Sequence, residues 1–277
     1  MKVLLGFGAG LLAGGTLLVL LRPVLEHPML QRENHRGHRL PTAGGVVALV
    51  AAVFVLATWV LIDRNTPVQL VLPTLLGFGV LGLLDDLVGS GADGRGFSGH
   101  LRALGRGRLT TGGLKLLGGG AIGVFGGALW DDRPVRILLD AALIALAANL
   151  GNLLDRAPGR TLKVGALAAV VVTVLSGLHR PQLVGPAIAV GALLALLPSD
   201  LGERLMVGDT GANALGAVLG LAVVLTTSFP IRMVVLVGVL FLNALSEVVS
   251  FSKIIDGVGP LRWIDRAGRQ PRYPDLP

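Results

Sequence analysis

Cysteine is absent from this 277-residue chain, and charged residues are scarce. Without cysteine the chain forms no disulfide, no thiolate metal site and no cysteine nucleophile, although its redox compartment stays undecided. Only 15% of the residues are charged, whereas 52% are hydrophobic and the mean hydropathy is +0.74. A soluble domain of this length does not need so little charge, so the composition indicates a membrane protein.

The formal net charge of +7 has two interpretations. It could mark a nucleic-acid partner, but basic residues in cytoplasmic loops produce the same excess in a membrane protein. We therefore predict the bilayer, and no nucleic acid, as a partner. The 41 glycines agree with this class, because glycine lets membrane helices approach closely.

Nine apolar segments approach or reach the roughly 17–25 residues that cross a hydrocarbon core of about 30 Å. The first begins after Lys2 like a signal peptide, but it lacks a convincing cleavage site and further spans follow it, so we interpret it as a helix. We predict an all-α fold, a polytopic helical membrane bundle forming one domain over residues 1–277, with 252–277 as a cytoplasmic tail. The nine predicted spans are 3–21, 43–62, 67–84, 113–130, 135–154, 161–178, 183–198, 210–228 and 231–251.

The distribution of lysine and arginine predicts the orientation of these spans. The loops after the odd-numbered spans, together with the tail, hold 18 of the 24 basic residues, and the other side holds 6. Cytoplasmic loops carry such an excess. We therefore expect an external N-terminus and a cytoplasmic C-terminus in the plasma membrane.

Unusual polar residues lie at the ends of several spans, all at the predicted cytoplasmic face. Chance placement would scatter them over both faces of the membrane. They are Asp85 and Asp86 after the third span, Lys115 in the fourth, Asn149, Asn152 and Asp155 in the fifth, Asp209 before the eighth, and Glu247 and Ser250 in the ninth.

These residue types suit phosphate and metal chemistry. Asn149, Asn152 and Asp155 recur every three residues, so they can share one helix face. Asp209 begins a helix whose exposed N–H groups would favour an anion such as phosphate. Converging carboxylates resist ionisation unless a cation joins them, and Mg²⁺, or Mn²⁺ in its place, suits oxygen ligands. The alternative is that each acid merely pairs with a loop arginine at a helix end.

Several motifs together resemble the polyprenyl-phosphate N-acetylhexosamine-1-phosphate transferase superfamily. They occur in the order of that family across roughly residues 39–253. The motifs are RLPTAGGVV, GLLDDLVG, the lysine of GLKL, NLGNLLD, GDTGAN and SEVVSFSK.

The resemblance implies a membrane enzyme that moves a sugar-1-phosphate from a nucleotide sugar to a polyprenyl phosphate. Asp209 would bind Mg²⁺, with Asp85 and Asp86 at the metal and the lipid phosphate, and Lys115 would neutralise phosphate charge. The nucleotide would lie against Asn149, Asn152 and Asp155. The catalytic set is then Asp85, Asp86, Asp209 and Lys115, and the metal ligands are Asp209, Asp85 and Asp86.

The chain departs from the family pattern after Asp155. The family continues Asp-Gly-x-Asp-Gly, whereas this chain has Arg156, Ala157, Pro158 and Gly159. The segment GVGPLRWIDRAGRQP has no histidine where the family has a histidine-rich loop, and we expect no tenth helix after it. As a hypothesis, Arg156 and Arg160, with Lys163, hold the donor through its phosphates and leave the base less specified. The alternative is that these charges only follow the positive-inside rule.

Three functions are compatible with this sequence. The first is the Mg²⁺-dependent transfer reaction, and the second is a non-catalytic relative that binds lipid phosphate or partners and regulates envelope synthesis. A transporter ranks last, because it would carry ionisable residues near the bilayer midplane. The sequence leaves the oligomeric state open, a homodimer included.

Overall fold

Long helices make up most of the chain in the computed structural model, which describes residues 1–34, 36–88, 105–107 and 110–270. Nine of them correspond to the nine predicted spans. In chain order they are α1 (Lys2–Leu20), α2 (Gly44–Ile62), α3 (Leu72–Val88), α4 (Thr111–Ala128), α5 (Pro134–Leu154), α6 (Arg160–Ser176), α7 (Val184–Leu194), α8 (Gly208–Thr226) and α9 (Phe229–Val248).

Shorter elements connect these helices. Single helical turns occupy Pro28–Leu30, Val68–Val71 and Pro181–Leu183, and short helices occupy Arg22–Leu25 and Leu197–Leu201. An antiparallel hairpin, which the all-α prediction omitted, pairs β1 (Gln31–Glu33) with β2 (Arg39–Pro41), with Gln31 opposite Pro41. Two further helices follow α9, namely α10 (Phe251–Gly257) and α11 (Gly259–Arg266).

Seven segments in the described residues are long and apolar enough to cross a membrane. They contain α1, α2, α3, α5, α7, α8 and α9, so the polytopic helical architecture is confirmed. Helices α4 and α6 are not among them: α6 has 17 residues, and α4 has eight glycines and Lys115 among its 18 residues. The count of nine spans therefore stays a prediction.

Helix α8 is the centre of the bundle, with 16 of its 19 residues buried. It packs against α2, α3, α5, α6 and α7. Small residues allow this, because helices in lipid associate through close backbone packing rather than through the hydrophobic effect. At Gly82 of α3, for example, a Cβ atom would overlap the backbone of Asp209. The outer helices instead expose large apolar side chains, such as Val174 of α6 and Val234 of α9.

The segment after β2 fixes the start of α8. Met206 donates its N–H to the carbonyl of Pro41 at 2.7 Å, and Gly44 and Gly45 donate to the carbonyls of Met206 and Val207 at 3.1 and 3.0 Å. A side chain at Gly45 would overlap the backbone of α8 at Gly211. The Pro-Thr-Ala-Gly-Gly motif therefore acts as a backbone clamp that sets the position of Asp209.

The predicted tail, 252–277, is helical in its first part. Helices α10 and α11 run from Phe251 to Arg266, and α11 is joined to the bundle by an ion pair between Asp265 and Arg160. Residues 271–277 lie outside the described residues. The segment beyond α9 therefore packs against the membrane domain, at the start of α6.

Candidate active site

Lys115 joins two carboxylates from different helices. Its Nζ lies 2.7 Å from Oδ2 of Asp85 on α3 and also contacts Oδ2 of Asp209 on α8. The side chains of Lys115, Asp85 and Asp209 keep 21%, 27% and 24% of their exposure, so a substrate can reach all three. The structure therefore brings together three of the four predicted catalytic residues around one ammonium group.

Asn152 adds a fourth helix to this cluster. Its Nδ2 donates to Oδ2 of Asp209 at 3.0 Å, from the last turn of α5. The oxygen of Asp209 that contacts Lys115 therefore also accepts a hydrogen bond from an amide. Two donors on one carboxylate oxygen fix the orientation of that group. We call Lys115, Asp85, Asp209 and Asn152 the lysine cluster.

Asp86 differs from its neighbour Asp85. Its Oδ1 accepts the N–H of Asp209 at 2.9 Å, and its Oδ2 accepts both the N–H and the Oγ1–H of Thr210 at 3.0 and 2.6 Å. Adjacent helical residues point in different directions, which separates the two aspartates. Asp86 thus satisfies N–H groups at the start of α8 that have no partner within their own helix.

This contact changes one prediction and bears on a second. The N-terminus of α8 was expected to offer free N–H groups to phosphate, but the N–H groups of Asp209 and Thr210 bind Asp86 instead. Gly208, with φ of +70°, brings the chain against Asp86, where a Cβ atom would overlap the carbonyl oxygen of Thr42. The contacts of Asp86 favour a positioning role, whereas its predicted metal role stays a prediction.

Asp155 follows α5 next to the lysine cluster. Burial, and then the negative charges of Asp200, Asp209 and Asp86, raise its pKa well above the ordinary value of an aspartate. Asp200 itself accepts the N–H of Gly159 at 2.7 Å and so holds the loop after Asp155. A raised pKa means that the neutral, protonated form of Asp155 is favoured. An ionised Asp155 would repel a polyanionic substrate, so this carboxyl needs either a proton or a nearby cation when such a substrate binds.

The other predicted substrate-binding residues lie in different surroundings. Asn149 donates to Oδ1 of Asn243 at 2.7 Å and so joins α5 to α9. Arg156 is exposed beside Asp155. Arg160 is buried, and its guanidinium pairs with both carboxylate oxygens of Asp265 at 2.8 and 3.1 Å. A nucleotide-binding role for Asn149 and Arg160 stays a prediction, and their contacts favour a structural one.

Sequence reasoning missed three residues that support the site. Thr210 follows Asp209 in the motif GDTGAN, so its position beside a catalytic candidate was a usable signal. Asn243 and Asp265 gave none, because the partner of each is about a hundred positions away in the chain.

The oxygen donors of the lysine cluster suit a hard divalent cation. Asp85 and Asp209 both contact the ammonium group of Lys115, so oxygens from two helices already lie around one positive charge. Within the described ranges, no group of three or more His, Cys, Asp or Glu side chains is arranged to hold a metal. Two carboxylates are sufficient for Mg²⁺, which usually takes one or two and completes its shell with water and substrate phosphates.

Three known proteins that are similar to this chain are each named phospho-N-acetylmuramoyl-pentapeptide-transferase. The protein of Moorella thermoacetica is 32% identical, in an alignment that covers 87% of this chain and 80% of that protein. The protein of Dinoroseobacter shibae is 30% identical over 87% of this chain and 75% of its own length. A third, from Borreliella burgdorferi, is 24% identical over 88% and 78%. No family model matches the chain.

Proposed function

The chain belongs, as a divergent member, to the superfamily of the phospho-N-acetylmuramoyl-pentapeptide transferases, and from this premise we propose that it transfers a sugar-1-phosphate from a nucleotide sugar to a polyprenyl phosphate in cell-wall synthesis. The strongest support is the contact of Lys115 with both Asp85 and Asp209 at a partly exposed site. A phosphoryl transfer needs charge neutralisation and positioning more than covalent help, and this cluster offers both.

In the proposed reaction, an oxygen of the lipid phosphate attacks the β-phosphorus of the donor. The bond between that phosphorus and the oxygen bridging to the α-phosphate breaks, and a nucleoside monophosphate leaves with the electron pair. We propose a uridine diphosphate sugar as the donor, since the superfamily resemblance implies it. The base is less restricted than in the relatives, because Pro158 stands in the region of a family carboxylate.

Each residue of the lysine cluster has a role in this proposal. Lys115 neutralises charge on the phosphates, and Asn152 fixes the carboxylate of Asp209. Asp85 and Asp209 would hold Mg²⁺, which when bound supplies Lewis-acid charge to the pyrophosphate. Asp86 keeps the start of α8 in place, so that Asp209 projects toward Lys115.

An apolar groove supports a lipid acceptor. It has a volume of about 260 Å³ and lies between α5, α6, α8 and α9, lined mainly by side chains such as Leu150, Leu154 and Val164. Leu154 directly precedes Asp155, so the groove starts beside the candidate site. A prenyl chain is the type of group that such a lining stabilises.

We further propose that the chain crosses the plasma membrane nine times and that the site faces the cytoplasm. Helices α4 and α6 would complete the nine spans. The excess of basic residues on the side of the lysine cluster supports this orientation. Nucleotide sugars are made in the cytoplasm, so the proposed donor would reach the site from that side.

Product formation tests the proposal. Purified protein is incubated with undecaprenyl phosphate, Mg²⁺ and a panel of uridine, cytidine and guanosine diphosphate sugars, and the lipid fraction is analysed by mass spectrometry. We expect a lipid pyrophosphate sugar with at least one donor, and none with excess chelator. Binding of the lipid phosphate without product from any donor would instead favour the non-catalytic relative.

A further inference from the structure

Helix α11 has an apolar side that faces outward, whereas a helix on the surface of a soluble protein turns its apolar side inward. Pro260, Leu261, Trp263 and Ile264 share one side of it, and the side chains of Leu261, Trp263 and Ile264 are 44%, 75% and 52% exposed. Asp265, one turn after Leu261 at the border of this side, is turned to the bundle and is only 7% exposed. A helix surrounded by water would bury the apolar side and expose the charged one.

This orientation is held by several contacts. Arg160 pairs with both oxygens of Asp265, and Arg269 also contacts that carboxylate. Lys163 donates to the carbonyls of Ile264, Asp265 and Ala267 at 2.9, 2.7 and 3.0 Å, at the end of α11 where unpaired carbonyls collect. Helix α11 is therefore fixed with its apolar side directed away from the bundle.

The attachment point also fixes the level of α11 along the bundle. Arg160 is the first residue of α6, and the loop before it begins at Asp155 next to the lysine cluster. Arg269 donates to the carbonyl of Pro158 in the same loop at 2.9 Å. Helix α11 therefore lies where the spanning helices end, which is the level of lipid headgroups.

We propose that α11 lies in the plane of the bilayer interface and binds an anionic lipid surface through its apolar side. Its tryptophan suits this level, because amphipathic rings collect at membrane interfaces. Lys253, Arg262 and Arg266 are exposed on and beside the helix, against one exposed acid, Asp256. Such helices bury their apolar side about 5–10 Å into the headgroup region and are attracted by anionic lipids. The attachment is independent of the transfer reaction.

A second copy of the chain is the competing occupant of this apolar side. Two such faces could pack against each other in a dimer. The level of the helix and its exposed basic residues favour lipid, because two identical faces would bring like charges together, and lysine is depleted at protein interfaces.

Spin labels at single cysteines distinguish lipid, water and a second copy. The chain has no native cysteine, so each variant carries one label. Leu261→Cys, Trp263→Cys and Ile264→Cys report on the apolar side, and Arg262→Cys is the matched control on the other side of the same helix. The full-length protein is reconstituted into phosphatidylcholine bilayers with and without phosphatidylglycerol, and collisions with oxygen and with a water-soluble nickel chelate are measured.

We expect labels at 261, 263 and 264 to collide with oxygen several-fold more often than with nickel, and the label at 262 to show the reverse. Phosphatidylglycerol should increase the oxygen preference at 263. Equal nickel access at all four positions would place α11 in water and overturn the proposal. Shielding from both reagents, with dipolar broadening between labels, would assign the face to a second copy and overturn it as well. No phosphatidylglycerol effect would overturn the anionic preference.

Discussion

At the scale of single residues, two adjacent aspartates have different tasks. Asp85 contacts the ammonium of Lys115, whereas Asp86 accepts three hydrogen bonds from Asp209 and Thr210. Two ionised groups in sequence are tolerated because each has its own partner: a cation for one, and the N-terminus of α8 for the other. The sequence predicted both aspartates at a metal and could not show that their contacts differ.

These different contacts predict that replacing Asp86 lowers mainly the stability, whereas replacing Asp85 lowers mainly the activity. Asp86→Ala should lower the free energy of unfolding by about 1–3 kcal/mol, because it leaves N–H groups of α8 without a partner. Asp85→Ala should abolish transfer while changing stability by less than about 1 kcal/mol, since the pair it breaks is partly exposed. Thermal unfolding in detergent, with turnover measured on the same samples, checks both. Equal loss of stability in the two variants would contradict this difference between them.

The arginines after Asp155 also differ from each other. Arg160 is buried and paired with Asp265, so Arg160→Ala should leave that carboxylate with Arg269 as its remaining ion-pair partner and cost about 1.5–3 kcal/mol of stability. Arg156 is exposed, so Arg156→Ala should keep the stability and weaken binding of a nucleotide sugar by about 1 kcal/mol or less. Calorimetric titration and thermal unfolding separate the two effects. If Arg160→Ala unfolds like wild type but loses nucleotide affinity, the phosphate-binding hypothesis for Arg160 is restored.

At the scale of elements, α11 is held by charges that respond to pH. Burial alone would raise the pKa of Asp265, but hydrogen bonds and positive charge from Arg160, with further charge from Arg269 and Lys163, outweigh it and lower the pKa. A carboxyl whose pKa is lowered by folding adds stability above its unfolded pKa. That stability is lost as the pH falls through the lower, folded value.

Acidification should therefore release α11. Below the ordinary pKa of an aspartate, the protein should lose thermal stability progressively, and a spin label at 264 should become more mobile. Asp265→Asn removes the titrating group, so its label should be mobile already at neutral pH and should change little on acidification. A label that stays equally immobile in both proteins across this range would show that other contacts hold the helix.

Helix α8 illustrates what sequence can and cannot predict about elements. Its glycines and alanines, and the run GDTGAN, predicted a membrane helix with a catalytic aspartate at its start. The backbone clamp between Pro41–Gly45 and Met206–Val207 could not be predicted, because backbone hydrogen bonds between distant segments leave no trace in side-chain pattern. The role of Asp86 was hidden for the same reason.

At the scale of the whole molecule, the sequence predicted the architecture well. Apolar runs of sufficient length gave helices at all nine predicted positions, and seven are apolar enough to cross a membrane. Three of the helix-end polar residues, Asp85, Asp209 and Asn152, meet in the lysine cluster. Asn149 instead contacts α9, and Arg160 contacts α11. Several acceptors lie within reach of one helix end, and the packing of the helices, which the sequence does not show, determines which acceptor is bound.

The proposed orientation makes a separate prediction. The side with 18 basic residues should be cytoplasmic, so a reporter fused after Pro277 should be active only in the cytoplasm. A second reporter, one that is active only outside the cytoplasm, should be active when fused after Asp63, which follows α2, and inactive when fused after Pro277. Activity of the Pro277 fusion on the outer side would invert the topology and remove the access of the donor to the lysine cluster.

The most direct measurement is the initial rate of metal-dependent transfer in variants of the lysine cluster. Lys115→Met and Asp209→Asn are compared with Asp132→Asn, an exposed acid in the loop between α4 and α5. Loss of charge neutralisation should lower the rate of Lys115→Met by about 10²–10³-fold, and Asp209→Asn should lose its response to Mg²⁺. Asp132→Asn should match the wild type. Full, Mg²⁺-dependent turnover by folded Lys115→Met and Asp209→Asn would contradict the assignment of the active site to this cluster.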